Sequence, residues 1–95
     1  MVQTVMSSKL IKIMGKVQGV FFRAHAQEKA NELGVNGWVK NCSDGSVEIH
    51  VEGLDFAVKE FVEWSEHGPE TAVVEFFEVE DAQEENLSMF EIKYD

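Results

Sequence analysis

The sequence predicts an α+β fold in which one β-sheet packs against two α-helices that share one of its faces. Five short segments have the composition or the apolar alternation of strands, and two longer segments place apolar residues at helical spacing. The predicted order is strand, helix, strand, strand, helix, strand and a closing strand. Two strand–helix–strand units in this order interlock into one antiparallel sheet with both helices on the same side.

The first strand and the first helix are separated by a glycine-containing loop. Residues 8–14 form the strand, and residues 15–20 interrupt it as a loop. The helix presents an apolar stripe with the spacing i, i+4, i+8 and i+11, which comprises Phe22, Ala26, Ala30 and Leu33. We expect Gly34 to end this helix, because glycine readily adopts the left-handed conformation of a helix C-cap.

A hairpin follows the first helix. Residues 35–41 form its first strand, and residues 42–45 have the composition of a turn. In the next strand, apolar residues 47, 49 and 51 alternate with polar residues, so one face is predicted to be buried and the other exposed. His50 lies on the polar face, and we expect it at the surface.

The second helix and two further strands complete the pattern. Asp55 is a candidate N-cap, and Gly68-Pro69 ends the helix. Its apolar stripe comprises Leu54, Ala57, Val58, Phe61 and Val62. Residues 73–79 form the fourth strand, and the alternation of Phe90, Ile92 and Tyr94 predicts a fifth. We therefore expect a ferredoxin-like (βαββαβ) two-layer sandwich, a fold that hosts many functions.

Length and composition limit the organisation of the chain. With 95 residues it forms one small domain, predicted over residues 8–95, after a flexible extension over residues 1–7. Its single cysteine, Cys42, excludes an intrachain disulfide framework. The N-terminus lacks the basic and apolar regions of a signal peptide, and no apolar run is long enough to cross a membrane. We expect a cytoplasmic monomer.

Charge is distributed unevenly along the chain, whose net charge is −10. Residues 1–43 carry six basic and two acidic side chains, whereas residues 44–95 carry two basic and sixteen acidic ones. Such an acidic chain repels nucleic acids and anionic membranes, so neither is an expected partner. An anionic small molecule is expected to bind to the basic first half.

The segment from Gly15 to Arg23 is the candidate anion site. Gly15 and Gly19 allow the backbone to turn so that successive amides, with those of the following helix, face an anion. Arg23 is the only arginine, and a cation in the first helical turn opposes the helix dipole at a cost of about 0.3–1 kcal/mol. A bound phosphate reverses the sign of that effect. The alternatives from the residues alone are an ordinary glycine turn and a surface ion pair for Arg23.

Two stretches of the chain resemble the signatures of the acylphosphatase family. Residues 15–23, Gly-Lys-Val-Gln-Gly-Val-Phe-Phe-Arg, fit its first signature, Gly-x-Val-Gln-Gly-Val-x-Phe-Arg. Residues 37–41, Gly-Trp-Val-Lys-Asn, followed by Gly45, Val47 and Gly53, fit the second with its spacings. The resemblance covers residues 8–95, and the departures are the N-terminal extension and Glu70, where a second proline is common.

The resemblance implies a hydrolase of carboxyl–phosphate anhydrides that needs no metal or cofactor. Its substrate would be a small acyl phosphate and its product inorganic phosphate. Arg23 would bind the phosphoryl group and Asn41 would position the attacking water. The phosphate loop would comprise Gly15, Lys16, Val17, Gln18, Gly19, Val20, Phe21 and Phe22.

Two other classes of function are alternatives to this hydrolase. A binding module would recognise carbamoyl or acyl phosphate without turnover, and a ferredoxin-like RNA- or metal-binding domain would need a basic sheet or clustered Cys and His. The three histidines are scattered, Cys42 has no partner at ligand spacing, and His25 is expected at the surface. The aromatic residues Phe21, Phe22, Trp38 and Trp64 are expected in the core, with an apolar wall for the acyl group as an alternative role for Phe21.

Overall fold

The protein folds as a five-stranded sheet with two helices packed on it. The computed structural model describes residues 5–94. Its elements are β1 (Met6–Lys16), α1 (Phe22–Leu33), β2 (Asn36–Asn41), β3 (Val47–Leu54), α2 (Asp55–His67), β4 (Val73–Asp81) and β5 (Phe90–Lys93). The element order and the ferredoxin-like α+β class agree with the sequence prediction.

The strands are arranged in the order β4-β1-β3-β2-β5. β1 is antiparallel to β3 and β4, and β2 is antiparallel to β3, as predicted. β5 instead pairs with β2 in parallel, so the sheet is mixed and the prediction of a purely antiparallel sheet is wrong at this edge. The reason is geometric: the chain reverses direction once between β4 and β5, so β5 runs in the same direction as β1 and β2.

The hydrophobic core lies between the sheet and the helices. Its fully buried side chains come from alternate positions of the strands and from one stripe of each helix, and they include Ile11, Ile13, Phe22, Ala26, Ala30, Val39, Val47, Ile49, Val51, Val58 and Phe61. Gly34 ends α1 in the left-handed conformation with a φ of 73°, as expected. Burial of this apolar surface is the main favourable contribution to folding.

The start of α2 differs from the prediction. Leu54, not Asp55, is the N-cap, and its backbone is extended. Its side chain is therefore outside the helical stripe and is exposed. Asp55 is the first helical residue, where its negative charge favours the helix dipole and its carboxylate lies 3.1 Å from Lys59 Nζ.

β1 begins earlier than predicted. Met6 and Ser7 are already paired with β3, so the predicted extension over residues 1–7 does not include them. The Val5 carbonyl also accepts a hydrogen bond from the Asp55 amide, at 2.8 Å. The remainder of that prediction, on residues 1–4, lies outside the described residues.

The face of the sheet opposite the helices contains a buried polar pair, which corrects the prediction for His50. His50 is 1% exposed and stacks on Trp38, and its Nε2 lies 2.7 Å from Glu52 Oε1. Glu52 also accepts hydrogen bonds from the amides of Glu85 and Leu87, each at 2.8 Å. The connection over residues 82–89 therefore packs against this face. The alternation of apolar and polar residues in β3 alone predicts that the face is exposed to solvent.

Candidate active site

The loop between β1 and α1 spans residues 17–21 and contains two left-handed residues. Gly19 has a φ of 74°, and Phe21 has a φ of 63°, which is uncommon for a residue with a side chain. Gly15 and Lys16, predicted to begin the loop, are instead the last residues of β1 and pair with β4. A Cβ at Gly15 would overlap the β4 backbone, so this glycine is required for strand packing.

Side chains from two neighbouring segments hold this loop in place. Gln18 Nε2 donates hydrogen bonds to the carbonyls of Cys42, at 2.8 Å, and Ser46, at 2.9 Å, in the β2–β3 turn. Thr71 Oγ1 donates to the Val20 carbonyl at 2.8 Å. The side chain of Gln18 is thus used to join the loop to the hairpin, which leaves only its backbone amide for an anion.

The beginning of α1 offers unpaired backbone donors. Phe21 is its N-cap residue and makes no side-chain capping bond, and the first turn contains no acidic residue. In the described part of the chain, the amides of residues 18–22 donate no backbone hydrogen bond. Unpaired amides at a helix N-terminus, together with the helix dipole, favour the binding of an anion.

Arg23 is held in place by an aromatic ring and a carbonyl. Its guanidinium carbon lies 4.8 Å from the centre of the Tyr94 ring, and Nη1 donates to the Lys93 carbonyl at 3.3 Å. Among residues 5–94, no carboxylate forms a salt bridge with it. Within this range the alternative of a surface ion pair therefore has no support, and no described carboxylate neutralises the positive charge of Arg23.

Asn41 is the last residue of β2. It pairs with Val47 of β3 across the hairpin, and this pairing fixes the backbone of Asn41. Its Oδ1 is buried and accepts no hydrogen bond from any residue that the structure describes. A buried carbonyl oxygen without a donor is costly, and this makes Oδ1 a strong acceptor for a small donor such as water.

Arg23 and Asn41 line the same cavity. The cavity has a volume of about 240 Å³. Its lining includes Val17, Gly19, Phe21, Arg23, Asn41 and Tyr94. The loop, the end of β2 and the end of β5 thus bring a cation, unpaired amides and a free amide oxygen to one place.

A larger groove lies elsewhere and does not fit an anion. It has a volume of about 410 Å³ and runs between α1 and the segment that follows α2. Its lining includes three carboxylates, those of Glu28, Glu32 and Glu70, with one lysine. Because carboxylates repel a phosphate, the smaller cavity is the better candidate for the active site.

The turn after Asn41 is stabilised by a local charge network. The hydroxyl and the amide of Ser46 donate to Asp44, and Lys12 Nζ lies 3.2 Å from the same carboxylate. These contacts, led by the Ser46 hydroxyl, lower the pKa of Asp44 from 3.8 to about 2. The turn that holds Gln18 is therefore itself held in one conformation at neutral pH.

The sequence and the fold both match known proteins. The family model for acylphosphatase matches residues 9–92. The chain belongs to the acylphosphatase family. An acylphosphatase from Nocardioides sp. is 45% identical over 83 residues, which cover 87% of this chain and 84% of the relative. The solved structure of an acylphosphatase from Coxiella burnetii has a TM-score of 0.90 and 37% identity over 98% of this chain and all of its own.

A larger protein contains a similar fold. The structure of full-length HypF in its phosphate- and nucleotide-bound form has a TM-score of 0.89 and 26% identity over 98% of this chain, but only 12% of HypF is matched. The acylphosphatase relatives, in contrast, match over most of their own length. This chain is thus an acylphosphatase hydrolase, and the family implies an acyl phosphate substrate and inorganic phosphate as a product.

Some residues that contact this loop or line this cavity were not predicted from the sequence. Tyr94 was expected at the end of a strand, but it follows β5, is 74% exposed and lies against Arg23. Thr71 gave no sequence signal, because its contact with the loop joins residues 51 positions apart. Phe21, expected in the core, is 74% exposed at the cavity, whereas Phe22 is buried as predicted.

The remaining candidate residues take no part in the cavity. His25 is exposed, as predicted, and Cys42 is a half-buried free thiol in the turn after Asn41. Within residues 5–94, no group of three or more His, Cys, Asp or Glu side chains is arranged to hold a metal ion. None of the helices within that range is sufficiently long and apolar to span a bilayer.

Proposed function

We propose that the chain hydrolyses the carboxyl–phosphate bond of small acyl phosphates without a metal ion. The loop amides and Arg23 hold the phosphoryl group, and Asn41 positions the attacking water. The observation that supports this proposal is that Arg23, which pairs with no described carboxylate, and Asn41 Oδ1, which has no hydrogen-bond donor among residues 5–94, line one cavity beside amides that are unpaired within the same range.

Phosphoryl transfer from an acyl phosphate requires little covalent chemistry from the protein. The leaving group is a carboxylate of low pKa, and the transition state is loose, with negative charge spread over three equatorial oxygens. Fixed donors around those oxygens are therefore the main requirement, and each well-aimed donor contributes a factor of about 10²–10³ in rate. The amides of residues 18–22 and the planar fork of Arg23 supply such donors.

Asn41 is suited to hold the water. Its amide oxygen is neutral, so it accepts a hydrogen bond from water without repelling the phosphate as a carboxylate would. The water oxygen attacks phosphorus as the bond from phosphorus to the carboxyl oxygen breaks and the carboxylate leaves. Because an amide is not a base at neutral pH, the proton of the water passes to a phosphate oxygen. We therefore expect a rate that is flat from pH 5 to 8, and a steep dependence on one protein group near pH 6–7 would contradict this route.

The test follows the hydrolysis of benzoyl phosphate by the purified protein in the presence of EDTA. We expect turnover to persist, and its loss with EDTA would contradict the metal-independent reading. Arg23→Gln is expected to lower kcat/KM by at least about 10²-fold and to abolish phosphate binding. Arg23→Lys is expected to recover little, because lysine lacks the bidentate fork.

Two further variants test whether activity depends on Arg23 in particular and whether Asn41 acts on the water. Lys29→Gln removes one positive charge from the same helix, where Lys29 pairs with Glu32 at 3.4 Å, and is expected to leave activity within about twofold of the unaltered chain. Asn41→Ala is expected to retain binding of inorganic phosphate, measured by calorimetry, while kcat falls by about 10²-fold. Full activity of Asn41→Ala would exclude the water-positioning role. Phosphate binding without any hydrolysis would instead indicate the binding module.

A further inference from the structure

Two large aromatic side chains are exposed at the mouth of the active-site cavity. Phe21 and Tyr94 are each 74% exposed, and both line the cavity that contains Arg23 and Asn41. Phe21 is also held with a φ of 63°, a left-handed conformation that costs a residue with a side chain free energy. An exposed phenyl ring in a strained position does not contribute to the core, so its place at the cavity requires another explanation.

The cavity offers more room than a phosphoryl group needs. Its volume of about 240 Å³ exceeds the ~150 Å³ of an engineered apolar cavity that binds benzene. It is smaller than the roughly 300–1,000 Å³ of pockets that enclose drug-sized ligands. The polar groups, Arg23 and Asn41, are joined in the lining by the apolar groups of Val17, Phe21 and Tyr94. A substrate with a charged end and a small apolar end is therefore complementary to it.

We propose that Phe21 and Tyr94 bind the acyl group of the substrate and give this enzyme a preference for aromatic acyl phosphates over acetyl phosphate. The inference rests on the proposed function, because the phosphoryl group must occupy the loop for the acyl group to reach these rings. Aromatic rings attract each other beyond simple area burial. The ring of a benzoyl group gains this contact, whereas the methyl group of acetyl phosphate is too small to do so.

The test compares benzoyl phosphate with acetyl phosphate as substrates. Phe21→Ala is expected to lower the ratio of kcat/KM for benzoyl phosphate to that for acetyl phosphate by about tenfold. The change should lie mainly in the KM for benzoyl phosphate, because the acyl group makes the same contact before and during the reaction. Phe21→Leu keeps an apolar wall without a ring. Its ratio of kcat/KM for the two substrates is expected to lie between those of the unaltered protein and Phe21→Ala.

Phe56→Ala is the matched control. Phe56 lies in α2, is 72% exposed and does not line the cavity, so its removal is expected to leave both substrates unaffected. Phe21→Gly is a second test variant, because it removes the ring and also relaxes the left-handed backbone. If the ring itself binds the substrate, Phe21→Gly and Phe21→Ala should show the same change in the substrate ratio.

The outcomes distinguish this inference from the proposed function. If Phe21→Ala leaves the substrate ratio unchanged, including the case in which kcat/KM falls equally for both substrates, the inference is overturned. The proposed hydrolysis and its dependence on Arg23 would still stand. Failure of the unaltered protein to hydrolyse either substrate would instead contradict the proposed function itself. A ratio that falls in Phe21→Ala and recovers in Phe21→Gly would assign the effect to the backbone and would also overturn the role of the ring.

Discussion

Removal of the Glu52 carboxylate should destabilise the protein far more than removal of an ordinary charge on the same strand. Glu52 is 5% exposed and accepts three hydrogen bonds, from His50 and from the amides of Glu85 and Leu87. Burial by itself would raise the pKa of Glu52, but these hydrogen bonds outweigh it and hold the pKa below its usual value of 4.5. The carboxylate is therefore ionised in the folded state and fixes the connection between β4 and β5.

The expected magnitude follows from these contacts. A buried donor left without an acceptor costs about 1–3 kcal/mol. Loss of the Glu52 carboxylate leaves three such donors, so Glu52→Ala should cost at least about 3 kcal/mol. A domain of this length has a free energy of unfolding of roughly 5–14 kcal/mol, so Glu52→Ala should remove a large part of it. Glu52→Gln retains the shape of the side chain but places an NH₂ group against one of the donors. The free energy of unfolding should therefore fall by about 1.5–3 kcal/mol.

Urea denaturation monitored by tryptophan fluorescence measures these differences. Glu48→Ala is the matched control, because Glu48 is also on β3, is half-buried and pairs with Lys40 at 3.5 Å, an interaction worth less than about 1 kcal/mol. Since the folded pKa of Glu52 is lowered, its stabilisation is present above pH 4.5 and declines as the pH falls below that value. The reasoning would be refuted if Glu52→Ala and Glu48→Ala differed by less than about 1 kcal/mol at pH 7.

Three further outcomes are expected. Gly15→Ala should cost at least about 1–3 kcal/mol of unfolding free energy, because its Cβ would overlap the Val73 carbonyl, and Gly45→Ala, where a Cβ meets open space, should cost less; equal losses in denaturation would contradict this. Gln18→Ala should lower kcat for benzoyl phosphate, because the loop loses two hydrogen bonds to the hairpin turn; an unchanged kcat would show that this tether does not position the loop. The lowered folded pKa of Asp44 stabilises the protein above pH 3.8 and loses that effect as the pH falls towards 2, so Asp44→Asn should have a smaller fall in melting temperature over this range than the unaltered chain.

Local patterns account for most of the fold prediction. The apolar stripe of α1 and the alternation in β3 each specify which face is buried, because the period of a helix or strand is an intrinsic property of the backbone. Gly34 was predicted as a C-cap from another local property, the ease with which glycine adopts the left-handed conformation. Errors arose at positions whose environment is supplied by a distant segment: the direction of β5, and the burial of His50 beneath the connection to β5.

For the candidate site, the sequence predicted residues but not their surroundings. Arg23 and Asn41 were predicted as site residues, and both line one cavity, while their catalytic roles stay predictions. The sequence did not indicate that Gln18 uses its side chain to join the loop to the hairpin, or that Tyr94 lies on Arg23. These contacts join residues more than twenty positions apart, and their partners are backbone carbonyls or a ring that no motif marks.

The amino-acid sequence by itself determined the order of the elements and their apolar faces, because these follow from short-range periodicity and side-chain type. It also singled out Arg23 as the only arginine, whereas the role expected for Asn41 came from the resemblance of residues 37–41 to a family signature. The tertiary structure decided how those parts meet: which edge β5 joins, which carboxylate is buried, and which aromatic rings flank the candidate anion site. The physical reason is that burial and hydrogen bonding depend on the groups that surround a residue in space. Those groups come from parts of the chain that only the folded topology brings together.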